Sequence, residues 1–368
     1  MIGTEWTFEC KEGFLMAHQT GSHRSSSSYD IYDEAVSREV DKILGKLQPY
    51  PHLDLIREVF VTAVKLARED CDRGDLKILR SSIKELRYAF KVFASYRNCP
   101  KVSIFGSARS PKINPEYQTA QELGRRLAQS GYMVITGAGG GIMEAANVGA
   151  GRELSFGLNI MLPFEQSANE LVKGDPKLIN FRYFFTRKLF FVKESTAVVL
   201  LPGGVGTMDE GFETLTLVQT GRSEPIPIVM LDAPNGTYWK DWHKFVRAHL
   251  FGGSYVSPED EALFMVTNSV DEAYQEIMGF YRRYHSSRYV DRKRKLVVRL
   301  KSALSEQSLE HLNQEFEDIL SEGQIESCEP FSEERDEMEL LELERLSLSF
   351  NRRNFGRLRQ LIDRINQL

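Results

Sequence analysis

From residue 101 onward, short continuous apolar runs alternate with stretches whose apolar positions recur every three or four residues. Val102-Ser103-Ile104-Phe105 is the first run and ends in Gly106-Ser107. Tyr132-Met133-Val134-Ile135 ends in Thr136-Gly137-Ala138-Gly139-Gly140-Gly141. Phe156 to Leu162 is the third, and Ala197 to Leu201 ends in Pro202-Gly203-Gly204. Ile226 to Leu231 and Leu263 to Val266 complete the set. Between them the spacing predicts helices over about 116–129, through Met143, Ala146, Asn147 and Ala150, around Arg187, and over about 208–219. Ser269 with Glu272 is expected to cap another. Continuous apolar strands alternating with helices predict a parallel sheet covered on both faces. The expected fold is therefore α/β, a Rossmann-like doubly wound parallel sheet with helices on both faces. Ligands in such sheets bind beyond the carboxyl ends of the strands, where strand order reverses. Three strand ends here carry Gly-rich or Ser/Gly turns.

The flanks follow other patterns. Ile56, Val59, Phe60, Ala63, Val64 and Ala67 recur at helical spacing. A second helix is expected to begin near Ser82, with Glu85 completing a capping box and Ile83, Leu86, Phe90 and Phe93 as its apolar stripe. Residues 1–35, with the polar run from Gly21 to Ser28, read as a flexible segment. The run Asp291-Arg292-Lys293-Arg294-Lys295 reads as a solvated linker. Beyond it come a strand at 296–300, a helix at 308–320, a strand near Ile325 and an acidic stretch from Glu333 to Glu344. Leu346, Leu348 and Phe350 alternate as in a half-buried strand, and Leu358, Leu361, Ile362 and Ile365 mark a final helix. The expected division is a flexible segment 1–35, a helical region 36–96, a Rossmann-like domain 97–290 and a small C-terminal α+β module 291–368.

Composition removes several functions. The 368 residues are 42% apolar and 27% charged, the balance of a soluble globular chain. A formal net charge of -5 argues against a nucleic-acid partner. Cys10, Cys71, Cys99 and Cys328 form no C-x-x-C pair, and the seven histidines show no ligand spacing, so no metal is expected. Isolated cysteines suit reduced thiols in the cytoplasm. No apolar run approaches the ~18 residues of a membrane span. The first residues, with Glu5, Glu9 and Lys11, lack the order of a signal peptide.

The glycine turns carry the candidate chemistry. Gly137-Ala138-Gly139-Gly140-Gly141 misses the dinucleotide fingerprint because Ile142 stands where glycine is needed, and no Gly-Lys-Ser/Thr of a P-loop occurs. The shared physics remains: glycine lets backbone approach an anion, and free N–H groups at a helix start point at it. Each terminus contributes on the order of 1 kcal/mol, up to ~2 when partly buried. Gly139, Gly140 and Gly141 are thus candidate phosphate-binding residues. So are Gly203, Gly204, Gly206 and Thr207 in Pro202-Gly203-Gly204-Val205-Gly206-Thr207-Met208-Asp209-Glu210. Thr207 is expected to cap the following helix as well as to meet a phosphate oxygen. Glu210 is expected in the first helical turn, where a carboxylate suits the helix dipole and also chemistry on a sugar.

This nine-residue run resembles the P-G-G-x-G-T-x-x-E signature of the Lonely Guy family. Its members are cytokinin riboside 5′-monophosphate phosphoribohydrolases and related nucleotide 5′-monophosphate nucleosidases, many formerly labelled lysine decarboxylases. Arg187-Lys188 is similar to the family's Arg-Lys pair, fifteen residues before the proline. Phe105 to Arg109 and Gly139 to Asn147 also resemble the family, particularly its longer bacterial branch. Short plant-type members carry an early Gly-Leu-Met-Gly, whereas here Met143 is followed by Glu144. The resemblance covers roughly residues 97–285. It implies release of free base and ribose 5-phosphate from AMP-type or cytokinin riboside monophosphates, without a cofactor, by Arg187 and Glu210. It also implies a homodimer or larger oligomer with the site near the subunit interface. A carboxylate near the anomeric carbon fits glycosidic hydrolysis, and a guanidinium fits an orienting role rather than proton donation. Ser107, Asn159 and Lys188 are candidate substrate-binding residues, with Glu165, Glu144 and Asn147 as further candidates. One alternative is a non-catalytic nucleotide or cofactor carrier. Another is a pyridoxal-phosphate decarboxylase, which would need a Schiff-base lysine.

Overall fold

The computed structural model describes residues 34–47, 49–162, 167–335 and 337–368. Residues 1–33, Cys10 among them, and Glu165 lie outside these ranges. The chain divides into two compact units at Leu76/Lys77. The first contains α1 (Glu34–Gly45), α2 (Leu53–Leu66) and the start of α3 (Arg73–Ala94). Within it α2 covers the predicted helix, and its Arg57 Nε donates to Asp41 Oδ1 of α1 at 2.8 Å. The start of α3 differs from expectation by nine residues. Asp72 accepts the Asp75 N–H at 2.9 Å, so the chain is capped there, and Ser82 lies inside the helix with its hydroxyl on the Ile78 carbonyl at 2.9 Å.

The second unit holds β1 (Lys101–Phe105), α4 (Pro115–Gln129), β2 (Met133–Thr136), α5 (Ile142–Ala150), β3 (Ser155–Ile160), β4 (Leu178–Phe181) and α6 (Phe184–Lys193). It continues with β5 (Ala197–Leu200), α7 (Val205–Gln219), β6 (Ile228–Leu231), α8 (Tyr238–Val246), β7 (Met265–Thr267) and α9 (Val270–Phe280). These seven strands are parallel, in the order β4-β3-β2-β1-β5-β6-β7. Strand order reverses between β1 and β5. Alternate side chains go to opposite faces. Met133, Ile135, Val198 and Leu200 pack with Phe93 of α3, Phe190 of α6, Val218 of α7 and Trp239 of α8. Val102, Ile104, Val134 and Val199 pack with Leu123 of α4, Ala146 of α5 and Ile277 of α9. Ser269 caps α9 as expected, its hydroxyl accepting the Glu272 N–H at 3.3 Å. The edge strand β4 gave no continuous apolar run, because Asn180 faces solvent. Among the described residues, no helix is long and apolar enough to cross a membrane.

The C-terminal part is a four-stranded antiparallel sheet, order β10-β11-β9-β8, with two helices. Its elements are β8 (Tyr284–Val290), β9 (Lys295–Leu300), α10 (Glu306–Glu315), β10 (Leu320–Ser327), β11 (Glu344–Phe350) and α11 (Phe355–Gln367). The charged run expected as a linker is instead the turn of the β8–β9 hairpin, with Asp291, Arg292 and Lys293 at positive φ. The polar strand β8, Tyr-His-Ser-Ser-Arg-Tyr-Val, concealed that pairing from any hydrophobic pattern. β11 is buried along both faces rather than half-buried. Leu346, Leu348 and Phe350 join the apolar core, while Arg345 on the other face is covered by Glu334, itself fully buried.

This module grips the sheet domain through α11. Phe355 lies over Gly221, just past the end of α7, so closely that a methyl group at Gly221 would collide with the ring. Phe355 is 7% exposed and stacks edge-on against Phe350 with centroids 5.1 Å apart. Phe355→Ala is expected to lower unfolding free energy by about 3–5 kcal/mol in urea titrations, the cost of emptying such a site.

Candidate active site

The crevice predicted by strand order lies between the carboxyl ends of β1 and β5, and Ser107 ties its walls together. Its N–H donates to the Pro202 carbonyl at 3.0 Å, and its carbonyl accepts the Ile142 N–H at 3.0 Å. The turns after β1, β2 and β5 are thus joined by backbone alone. The Ser107 hydroxyl accepts the Arg109 N–H at 3.1 Å, which closes its own turn. Gly141 sits at φ +61 with its α-carbon against the Ser107 carbonyl, and any side chain there would strike it. A side chain at Gly203 would strike the Thr207 hydroxyl. Gly204 and Gly206, in contrast, face open space.

The start of α7 corrects two expectations. Gly204, not Thr207, is the N-cap, and no side chain caps the helix. Thr207 is its third residue, with its N–H on the Gly204 carbonyl at 3.0 Å. The amides of Val205 and Gly206 precede any intrahelical partner and so stay available to an anion. Glu210 falls in the second turn of α7, too far in for the helix dipole to explain it.

A buried polar network fixes the other turn. Asn147 Oδ1 accepts the Thr136 hydroxyl at 2.8 Å and Asn169 Nδ2 at 3.1 Å. Asn169 Nδ2 also donates to the Gly139 carbonyl at 3.0 Å, and its N–H donates to the Ala138 carbonyl at 2.8 Å. Asn147 is therefore a scaffold of the Gly139-Gly140-Gly141 turn. Asn169 and Tyr238 escaped sequence reasoning. Tyr238 donates its hydroxyl to the Gly203 carbonyl at 2.7 Å. No motif announces either residue, since both contacts are long-range.

Arg187 and Glu210 approach each other, and the Arg187 guanidinium lies beside Gly137 of the turn after β2. Arg187 Nη2 stands 3.7 Å from Glu210 Oε1, an ion pair longer than a hydrogen bond. Both side chains are largely buried, 12% and 7% exposed. Burial raises the Glu210 pKa to about 7, against Lys188 and Arg187, which favour its charged form. Burial likewise lowers the Arg187 pKa, opposed by Glu210 and Asp209, yet a guanidinium stays charged. The Arg187 guanidinium lies over the rings of Phe184 at 5.1 Å and Phe191 at 5.5 Å. Its Nε is buried with no hydrogen-bond partner among the described residues.

The other candidates are placed differently. Lys188 Nζ pairs with Asp209 Oδ1 at 2.9 Å and Glu213 Oε2 at 2.5 Å, so it clamps α6 to α7. Asn159, two strands from the crevice on β3, donates to Asn180 Oδ1 across the sheet edge at 2.9 Å. Glu144 pairs with Lys112 at 2.9 Å. Among the described residues, no group of three or more His, Cys, Asp or Glu could hold a metal ion.

Comparison with known proteins finds similarity over the sheet domain. A family model described as possible lysine decarboxylase matches residues 140–277. A cytokinin riboside 5′-monophosphate phosphoribohydrolase from Mycobacterium tuberculosis is 31% identical over 180 residues, covering 45% of this chain and 87% of the relative. A probable cytokinin riboside 5′-monophosphate phosphoribohydrolase from Oryza sativa subsp. japonica is 28% identical over 165 residues, covering 43% of this chain and 63% of the relative. A molybdenum cofactor binding protein from Rippkaea orientalis is structurally similar with a TM-score of 0.36 and 17% identity, over 49% of this chain and 95% of that one.

The network around Asn147 is open to test. Asn147→Ala strands the Thr136 and Asn169 donors, and a loss of about 2–4 kcal/mol in unfolding free energy is expected in urea titrations.

Proposed function

This chain belongs to the Lonely Guy family, and on that premise we propose that it hydrolyses the N-glycosidic bond of a nucleoside 5′-monophosphate. The products are free base and ribose 5-phosphate, from AMP or a cytokinin riboside monophosphate. The observation that carries this reading is the buried Arg187–Glu210 pair, set one helical turn beyond a phosphate-sized row of open amides on α7.

The mechanism follows from that placement. The 5′-phosphate sits on the amides that begin α5 and α7, contributed by Gly139, Gly140, Gly141, Gly204, Val205 and Gly206, beside the Thr207 hydroxyl. Ribose then extends toward Glu210. As the bond from C1′ to the base nitrogen breaks, positive charge gathers on the sugar. The Glu210 carboxylate stabilises that charge and orients the water whose oxygen bonds to C1′; the electron pair of the broken bond leaves with the base, which takes up the one proton the water gives up. The Arg187 fork orients the ribose hydroxyls and favours the charged form of Glu210. A carrier that only holds a nucleotide needs neither residue. The decarboxylase suggested by the family model's description would use pyridoxal phosphate on a lysine with a depressed pKa. Lys188 does not fit that role. Burial works against its charge, but Glu213 and Asp209 outweigh it and raise its pKa.

The reading extends to the assembly. Phe185 and Leu189 of α6 and Phe212 of α7 are 57%, 46% and 46% exposed beside the site, a face suited to a second copy of the chain. We place the protein in the cytoplasm, as a homo-oligomer.

Glu210→Gln and Arg187→Ala are each expected to slow release of adenine from AMP by at least roughly a hundredfold, the scale for losing one electrostatic contact in a reaction site. Chromatography of the products checks this, and normal turnover by either folded variant would refute the assignment. The pH dependence has a defined sign. The active form of Glu210 is the carboxylate, and its pKa is raised to about 7. The ratio kcat/KM should therefore rise with pH through about 7 and level off above it. A profile that instead falls above 7 would show that Glu210 works as an acid.

A further inference from the structure

Arg187 is aimed by its helix more than by its own contacts. It makes no short hydrogen bond to Glu210, and its Nε has no partner among the described residues. Whatever fixes α6 therefore fixes the guanidinium. The N-terminus of α6 has no side-chain cap of its own and no acidic residue in its first turn. A carboxylate from a different helix stands there. Glu85, in the part of α3 belonging to the second unit, accepts the Arg182 N–H on Oε1 at 3.1 Å. Its Oε2 lies 2.6 Å from the Thr186 hydroxyl, which also stands 2.9 Å from the Tyr183 carbonyl. Thr186 is 1% exposed and directly precedes Arg187.

A second contact holds α6 on the other side of Arg187. Phe190, three residues on, is flanked by Phe90 and Phe93 of α3, with ring centroids 5.3 Å and 5.7 Å away. Glu85 thus stands by the positive end of the α6 dipole and ties to α3 both the Arg182 amide, two residues before the helix, and the Thr186 hydroxyl in its first turn. It lies well outside the family-matched residues 140–277.

We propose that Glu85 is a positioning residue that sets the placement of Arg187 by clamping the start of α6 to α3, so that α3 belongs to the catalytic apparatus. This rests on the nucleotide-hydrolase reading above. A displacement of about 1 Å in a reacting group can cost up to roughly a hundredfold in rate. A carboxylate clamp has a close stand-in, because glutamine keeps an oxygen acceptor.

The test compares Glu85→Ala, Glu85→Gln and the natural chain at full length, with AMP as probe. Glu85→Ala should lower kcat roughly ten- to a hundredfold while KM stays within about threefold. Glu85→Gln should restore most of that loss. Amide exchange should quicken at Arg182 to Arg187 in Glu85→Ala and stay unchanged along α7. If Glu85→Ala does not fold, Thr186→Val, which removes only the hydroxyl, carries the same expectations. Turnover by Glu85→Ala within twofold of the natural chain, or no recovery with Glu85→Gln, would overturn the proposal. If the natural chain releases no base from any nucleoside monophosphate, the functional reading fails separately. Exchange then decides the clamp alone: unchanged rates at Arg182 to Arg187 would overturn it, and quickened rates would uphold it.

Discussion

The two backbone bonds of Ser107 hold the crevice in shape. One reaches Pro202 and the other reaches Ile142, and through them three strand ends become one rim. Backbone contacts of this kind leave no room for side chains, which is why glycine occupies the points of closest approach at Gly141 and Gly203. Where the rim opens to solvent, at Gly204 and Gly206, glycine serves access instead of packing. The same residue type thus does two jobs in one turn. Only the first is enforced by the fold, and the second makes sense for an anion that approaches the amides of α7.

Beneath that rim, electrostatics and burial oppose each other. Burial pushes the Glu210 carboxyl toward its neutral form, while Lys188 and Arg187 pull it back, and the balance settles near neutrality. Lys188 contributes from a distance, since its ammonium is already occupied by Asp209 and Glu213. That occupancy keeps a cation near the site without offering it to a ligand. It also binds α6 to α7, the two helices that carry Arg187 and Glu210. A carboxyl group balanced this way responds strongly to small shifts of its cationic neighbours, because low local dielectric magnifies each charge.

Segments outside the sheet domain restrain those same two helices. Glu85 and Phe93 of α3 meet α6, and Phe355 of α11 meets the end of α7. The flanks therefore act at the ends of the helices rather than in the crevice.

Much of this was legible beforehand. Continuous apolar runs located β1, β2, β3, β5 and β6 to within a few residues, because a strand buried on both faces has to be apolar throughout. Gly203, Gly204, Gly206 and Glu210 stood out because so dense a turn exceeds what a strand-to-helix connection needs, and Arg187 stood out through the resemblance of Arg187-Lys188 to the family's Arg-Lys pair. The amino-acid order by itself determined the α/β class and the glycine turns, since these depend on local pattern. Tertiary structure alone decided that Glu85 meets Arg182 and Thr186 at the start of α6, that Asn169 and Tyr238 brace the glycine turns, and that the charged run after Val290 closes a hairpin. Each of those joins residues distant in sequence or hides a strand among polar residues, and such pairings leave no periodic trace along the chain.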